Sequence, residues 1–204
     1  IGAGEKTAAN GHWVKGPGTA LFDELIGQLG PLPIVAEDLG VITPEVEALR
    51  DRYRFPGMHV LQFAFGDDLR AGDREPHHCP ENRVVYTGTH DNDTVVGWLH
   101  ARPGKGSTQT GQQIAARRRR ILDYLGSDGR DIHWAFIRLA LESPAGTAVV
   151  PLQDILGLDS KARMNTPARR SGNWRWRFGW EQLTSPVKLR MAELTRSAGR
   201  NASG

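Results

Sequence analysis

Two acids stand where chemistry is easiest to build: Asp91 in the string VVYTGTHDNDT (Val84 to Thr94) and Glu37 in IVAEDLG. Val84, Val85 and Tyr86 are β-branched or aromatic and suit a short buried strand, and Gly88 ends that apolar run before His90 and Asp91 appear. Glu37 and Asp38 follow Ile34 and Val35 in the same way. Parallel α/β barrels and open α/β sheets hold their active sites at the carboxyl ends of strands, because the strand fixes the backbone while the following loop stays adaptable. Paired carboxylates at such a rim are what glycoside chemistry needs. One stays protonated to donate to the leaving oxygen, and the other stays ionised to support an oxocarbenium-like transition state. Acids at strand ends also serve as helix caps. Asp93 is read as the cap of TVVGWLH, with Thr94 opening the helix, which leaves His90, Asp91 and Asn92 for another purpose.

Other chemistries compete for these residues. His77, His78, Cys79, His90, Asp91 and Asp93 offer nitrogen, sulfur and oxygen ligands within a short span, the basis of a metal-dependent hydrolase reading. Against it, adjacent histidines on an extended loop rarely converge on one ion, and no HxxxH or CxxC spacing accompanies them. A third reading is a non-catalytic sugar or peptide platform, with a glucan-binding module as its sugar form, built on NWRWRFGW, Asn173 to Trp180. There Trp174, Trp176, Phe178 and Trp180 share a face if the chain is extended. The plainer alternative is a buried aromatic segment that locks the end of the chain.

The elements that must position these residues follow in order. TALFDELIGQL, Thr19 to Leu29, places Leu21, Leu25 and Leu29 four apart and predicts an amphipathic helix. Ile34 and Val35 predict a short strand. Thr43, Pro44 and Glu45 make a helix start, with Thr as cap, Pro in the first turn and an acid at the positive end of the dipole. HVLQFAF, His59 to Phe65, alternates as a strand, and Val84 to Tyr86 is the next. Helices are expected around Trp98, over Gln112 to Leu125 and over Asp131 to Glu142. A strand at Thr147 to Val150, a helical turn begun by Pro151 and a last helix from about Ser185 to Ala198 complete the pattern. Strand then helix, repeated four times, argues for parallel sheet with right-handed crossovers, either half of an eight-unit barrel or a small open sheet.

The 204 residues, 39% hydrophobic and 24% charged, suffice for one domain or part of a larger one and exclude a disordered tail. The net charge of +3 is modest, and the run Arg117 to Arg120 spreads around a helix without interleaved aromatics, which reads as a solvated face and not as a nucleic-acid surface. One cysteine, Cys79, allows no internal disulfide and fits a reducing, cytoplasmic compartment. No run of about 18 apolar residues is present to span a membrane, and no basic-then-apolar leader opens the chain. It begins at Ile1 in a Gly-rich, loop-like stretch, and the expectation is an amino-terminally truncated fragment.

The strings GEKTAANGHWVKGPG, PIVAEDLGVITPEVEALR, PGMHVLQFAF, VVYTGTHDNDTVVGW, VPLQDILGL, ARMNTP and SGNWRWRF run in order across nearly the whole chain. Together they resemble the 4-α-glucanotransferases, the amylomaltase or disproportionating enzymes of glycoside hydrolase family 77. The resemblance implies the carboxyl-terminal half of a (β/α)8 TIM barrel of the α-amylase clan, with residues 1–204 forming part of one catalytic domain. It implies a retaining double displacement on α-1,4-glucans and maltooligosaccharides, with glucose or a glucan as acceptor, and no cofactor, metal, nucleic acid or membrane. Glu37 matches the family's general acid/base, Asp91 its transition-state stabiliser, and His90 a residue that contacts the donor sugar. Asn92 and Asn165 are expected to reach the sugar, and Phe63 to offer a flat face to an incoming glucose. His90 and Asp91 can both contribute only if the strand has already ended, for which Gly88 gives a reason. The family's nucleophile, an Asp in an Arg-x-Asp-His motif on the fourth barrel strand, has no counterpart here. The fragment is therefore expected to be inactive alone.

Overall fold

The computed structural model describes residues 1–7, 9–40, 42–66, 79–104 and 109–200. They divide into two compact units, residues 1–56 and 57–204.

The first unit holds two helices, α1 (Thr19–Leu29) and α2 (Pro44–Arg52). Helix α2 starts at Pro44, carries Glu45 and Glu47 in its first turn and ends on Arg50 and Arg52, so its charges oppose the helix dipole at both ends. Thr43 makes no side-chain cap bond to the helix amides. Its hydroxyl bonds to the Glu45 carboxylate instead, which holds that acid below its usual range. Phe22 of α1 packs on Tyr53 and Phe55, with ring centroids 5.2 Å from each. The strand predicted at Ile34 and Val35 does not form. Pro31 and Pro33 remove two backbone donors, and pairing is reduced to a single bridge at Ala36, whose amide donates to the Pro56 carbonyl at 2.8 Å.

The second unit is built on three parallel strands in the order β1 (Gly57–Val60), β2 (Arg83–Tyr86), β3 (Thr147–Val149). Gly57 pairs with Arg83, and Val84 with Thr147, so the carboxyl ends of all three strands lie at one edge. The HVLQFAF segment is a strand only to Val60. It then turns into α3 (Leu61–Ala64), with Leu61, Gln62 and Ala64 buried and Phe63 turned outward. The aromatic alternation that resembled a strand is one helical turn on the core.

Between β2 and β3 run α4 (Val95–Leu99), α5 (Gly111–Leu125) and α6 (Ile132–Glu142). Helix α5 opens with a reciprocal capping box, Thr110 with Gln113, and stops at Gly126 in the left-handed conformation. The core joins Leu61, Val85, Leu99, Ile121, Ile132 and Phe136. Each such side chain contributes roughly 1.5–3 kcal/mol by leaving water. The opposite face of α6 presents Trp134, Ile137 and Leu141 to Val187, Met191 and Leu194 of a last helix, Ser185–Ser197.

The arginine run is not uniformly solvated. Arg117 is buried, lies 4.7 Å from the Trp98 ring and donates to the Trp98 carbonyl, while Arg120 donates to the Phe65 carbonyl. The aromatic partner comes from α4, so spacing within α5 gave no hint of it. Arg200 holds the turn after α6, donating to the carbonyls of Leu141, Ser143 and Ala145 at 2.6–2.8 Å.

Candidate active site

Strand β2 ends at Tyr86, and the next residues turn away under tight packing. A Cβ on Gly88 would stand 2.8 Å from Gln62 Nε2 and 3.4 Å from Asn92 Cβ, so a side chain there would displace the Gln62 amide. The loop is tied to itself by Asn92, whose side-chain oxygen accepts from the Thr89 amide at 2.9 Å and the Thr89 hydroxyl at 2.8 Å. The strand has thus ended before His90 and Asp91, and strict alternation no longer applies to them. His90 Nε2 lies 3.4 Å from Asp91 Oδ1, and both side chains are about half exposed.

A second segment, after β3, clamps this loop. A turn at α7 (Leu152–Ile155) leads through a 3-10 turn at Ser160–Ala162 to Arg163 and Asn165. Asn165 Nδ2 donates to Asp91 Oδ1 at 2.5 Å, and its amide donates to the His90 carbonyl at 3.0 Å. Arg163 donates from Nη2 to the Asp91 carbonyl at 2.6 Å and from Nε to the Asn165 carbonyl at 2.8 Å. The carboxylate of Asp91 is therefore aimed by contacts to its own main chain and by one amide.

Asp93 is not the helix cap. Thr94 takes that place, its hydroxyl accepting from the Gly97 amide at 3.1 Å. Asp93 accepts instead from the Thr94 amide at 2.9 Å and from the Ser160 hydroxyl at 2.6 Å, fastening the 3-10 turn to α4. Threonine competes well for a cap because its short hydroxyl reaches the third amide directly, which frees the carboxylate for a partner distant in sequence.

Asp154, on α7, is 1% exposed. It accepts from the Thr87 hydroxyl at 2.6 Å and from the Val95 amide at 2.8 Å, tying the end of β2 to the start of α4. Burial pushes its carboxyl above the usual range against the opposing pull of those two bonds. Gln62, also buried, donates to the Asp93 carbonyl at 2.8 Å. Neither residue was singled out from the sequence. Asp154 follows the end of β3 as Asp91 follows that of β2, and that rule applied to VPLQDILGL would have found it.

Beside these groups lies a cleft of about 240 Å³ lined by His90, Asn92, Asp154, Arg163, Met164 and Trp174, among others, whereas Asp91 and Asn165 are outside its lining. A larger groove of about 510 Å³ runs along the last helix past Ile155, Val187 and Met191, but no carboxylate or imidazole lines it. Phe63 is 36% exposed on α3 and does not line the cleft. Glu37 lies in the first unit, exposed, beside Asp38, whose carboxylate is held by Arg50 at 2.5 Å. Of the proposed metal ligands, His77 and His78 lie outside the described residues. Among those described, no group of three His, Cys, Asp or Glu side chains could hold an ion. Cys79 is buried, and burial raises its thiol.

A cleft at the carboxyl edge of a parallel sheet, ringed by an acid, an imidazole, amides and an indole, lies where α/β proteins commonly place their ligand sites. The family described as 4-alpha-glucanotransferase, glycoside hydrolase family 77, matches residues 1–183, and the chain belongs to it. It is 49% identical over 199 residues to a 4-alpha-glucanotransferase of Synechocystis sp., covering 97% of this chain and 37% of that relative. It is 48% identical over 198 residues to the Thermus thermophilus enzyme of the same name, covering 95% of this chain and 38% of that one. Among solved structures, the amylomaltase of Streptococcus agalactiae in complex with acarbose superposes with a TM-score of 0.84 at 33% identity, over 98% of this chain and 39% of that one. The chain thus spans well under half the length of the relatives it matches.

Proposed function

We propose that these residues form the carboxyl-terminal part of the catalytic (β/α)8 barrel of a 4-alpha-glucanotransferase. The enzyme cuts an α-1,4-glucan or maltooligosaccharide with retention and passes the released segment to the 4-position of glucose or another glucan. The observation that carries the reading is the set of contacts at Asp91. An acid at a strand end, aimed by Asn165 and Arg163 and flanked by His90, stands in a chain nearly half identical to enzymes of that name.

Glu37 donates its proton to the departing oxygen in the first step and recovers it from the acceptor hydroxyl in the second. Asp91 stays ionised and opposes the positive charge that develops at the anomeric carbon. His90, Asn92 and Asn165 supply polar contacts to the sugar hydroxyls, and Phe63 supplies an apolar face on the acceptor side. A retaining step needs a further carboxylate as nucleophile, about 5 Å from the acid. We assign it to a part of the enzyme outside these 204 residues. Transfer prevails over hydrolysis when an acceptor sugar fills the site and keeps water out. The single buried thiol of Cys79 suits a reducing, cytoplasmic setting.

The test is chain-length redistribution from maltotriose by the full-length enzyme carrying this segment. Glu37→Gln and Asp91→Asn are each expected to lower turnover by about 10²-fold or more. For Glu37→Gln the loss in forming the glycosyl intermediate shrinks with a glycosyl fluoride donor, whose leaving group needs little acid. Parental activity of either variant on maltotriose overturns the assignment of that residue.

A further inference from the structure

Among the described residues, three other than glycine have positive φ, Arg54, Ala168 and Trp174. Of these, only Trp174 lines the cleft. Its backbone, at φ 62, sits where a bulky side chain is disfavoured, and its indole is 54% exposed, so neither local geometry nor burial accounts for it. The strain is imposed from several sides. The Trp174 amide donates to the Met164 carbonyl at 2.7 Å, and its carbonyl accepts from Arg177 at 3.0 Å. The preceding Asn173 is fixed as well, accepting from the Thr166 amide and donating to the Arg169 carbonyl. These bonds hold the ring 5.2 Å from that of His90, tilted by 37°, with much of its surface open. The other aromatics of NWRWRFGW go elsewhere: Trp176 stacks on Phe178 at 6.1 Å, and Phe178 meets Trp180 at 5.1 Å.

We infer that Trp174 is a sugar-contacting residue whose pre-positioned indole stacks on the apolar C–H face of a glucose unit of the α-glucan held beside His90 and Asp91. The inference rests on the glucanotransferase reading. A flat aromatic wall fits this ligand because a pyranose ring presents its hydroxyls around the edge and its C–H bonds on the faces. The polar groups of the cleft meet the edge and the indole meets a face. Holding the ring ready in a strained backbone spares the ordering cost at the moment of binding.

The strain also supplies a clean test in the full-length enzyme, because glycine relieves φ 62 while removing the ring. Trp174→Gly is expected to keep or raise the melting temperature, to raise KM for maltotriose about tenfold, and to leave kcat within about threefold. Trp174→Phe, which keeps an aromatic face, is expected to hold KM within about threefold of the parent. A KM for Trp174→Gly within twofold of the parent overturns the stacking role, and so does a rise in KM that comes with a lowered melting temperature in both variants. A parent that fails to redistribute maltotriose overturns the glucanotransferase reading itself. An active parent with indistinguishable variants overturns only the assignment of Trp174.

Discussion

At the scale of single residues, the site separates aiming from chemistry. Asp91 is held through its carbonyl by Arg163 and through one carboxylate oxygen by Asn165. Asp154 does the reverse, spending both carboxylate oxygens on structural bonds at a buried position. Because burial raises its pKa, the fold favours the neutral carboxyl. The stability this adds is complete below the ordinary value of 3.8 and is lost as pH rises through the elevated native value. Asparagine imitates the neutral form, able to accept from the Val95 amide and to donate to Thr87. Asp154→Asn is therefore expected to lose less stability than the parent between about pH 4 and pH 7, so that the difference moves in favour of the variant as pH rises. Urea unfolding across that range measures it, and parallel profiles would contradict the account.

At the scale of elements, the sheet edge works because α4 and the Ser160–Ala162 turn touch without a gap. A Cβ on Gly97 would clash with Ser160 Oγ and stand 2.7 Å from the Ser160 amide nitrogen and 2.8 Å from Asp93 Oδ1. Gly97→Ala gains about 1 kcal/mol in helix propensity but forces backbone apart, a strain of about 1–3 kcal/mol. The clash wins because the obstacle includes main chain. A net loss of stability is expected from urea unfolding, with reduced maltotriose transfer as the 3-10 turn that leads to Arg163 shifts. The helices were readable in the sequence because 3.6-residue periodicity and caps are local: α1 has the predicted bounds, and α5, α6 and the last helix match within a residue. The strand at Thr147–Val149 was readable as a short run of small and β-branched residues between Gly146 and Pro151. What failed depends on partners. Ile34 and Val35 look like a strand but pair with nothing beyond the bridge at Ala36. Phe63 and Phe65 alternate, yet Phe63 lies within the helical turn α3 and Phe65 just after it. Asp93 resembles a cap until Ser160, far along the chain, offers it a hydroxyl. The acids at strand ends could be found by rule, whereas Arg163 and Gln62 act through main-chain carbonyls, which no side-chain pattern encodes.

At the scale of the whole molecule, the described sheet has three strands, with β3 paired to β2 alone. Val149 on that edge is 41% exposed. A free edge with apolar side chains favours association. Residues 1–204 produced alone are expected to release no glucose from maltotriose and to self-associate on a sizing column. Robust turnover by the purified chain would mean that a nucleophile lies within it. The clamp on Asp91 has a further consequence, for biosynthesis. Its contacts join positions 72 and 74 apart in sequence, and the Asp93–Ser160 bond joins positions 67 apart. Closing loops of that length costs about 4 kcal/mol of chain entropy before any bond is made. On a ribosome the GTHDND loop emerges long before its clamp. The chain that first leaves the tunnel has β2 but no aimed carboxylate, and the site comes into being only after Arg163, Asn165 and Trp174 have been translated.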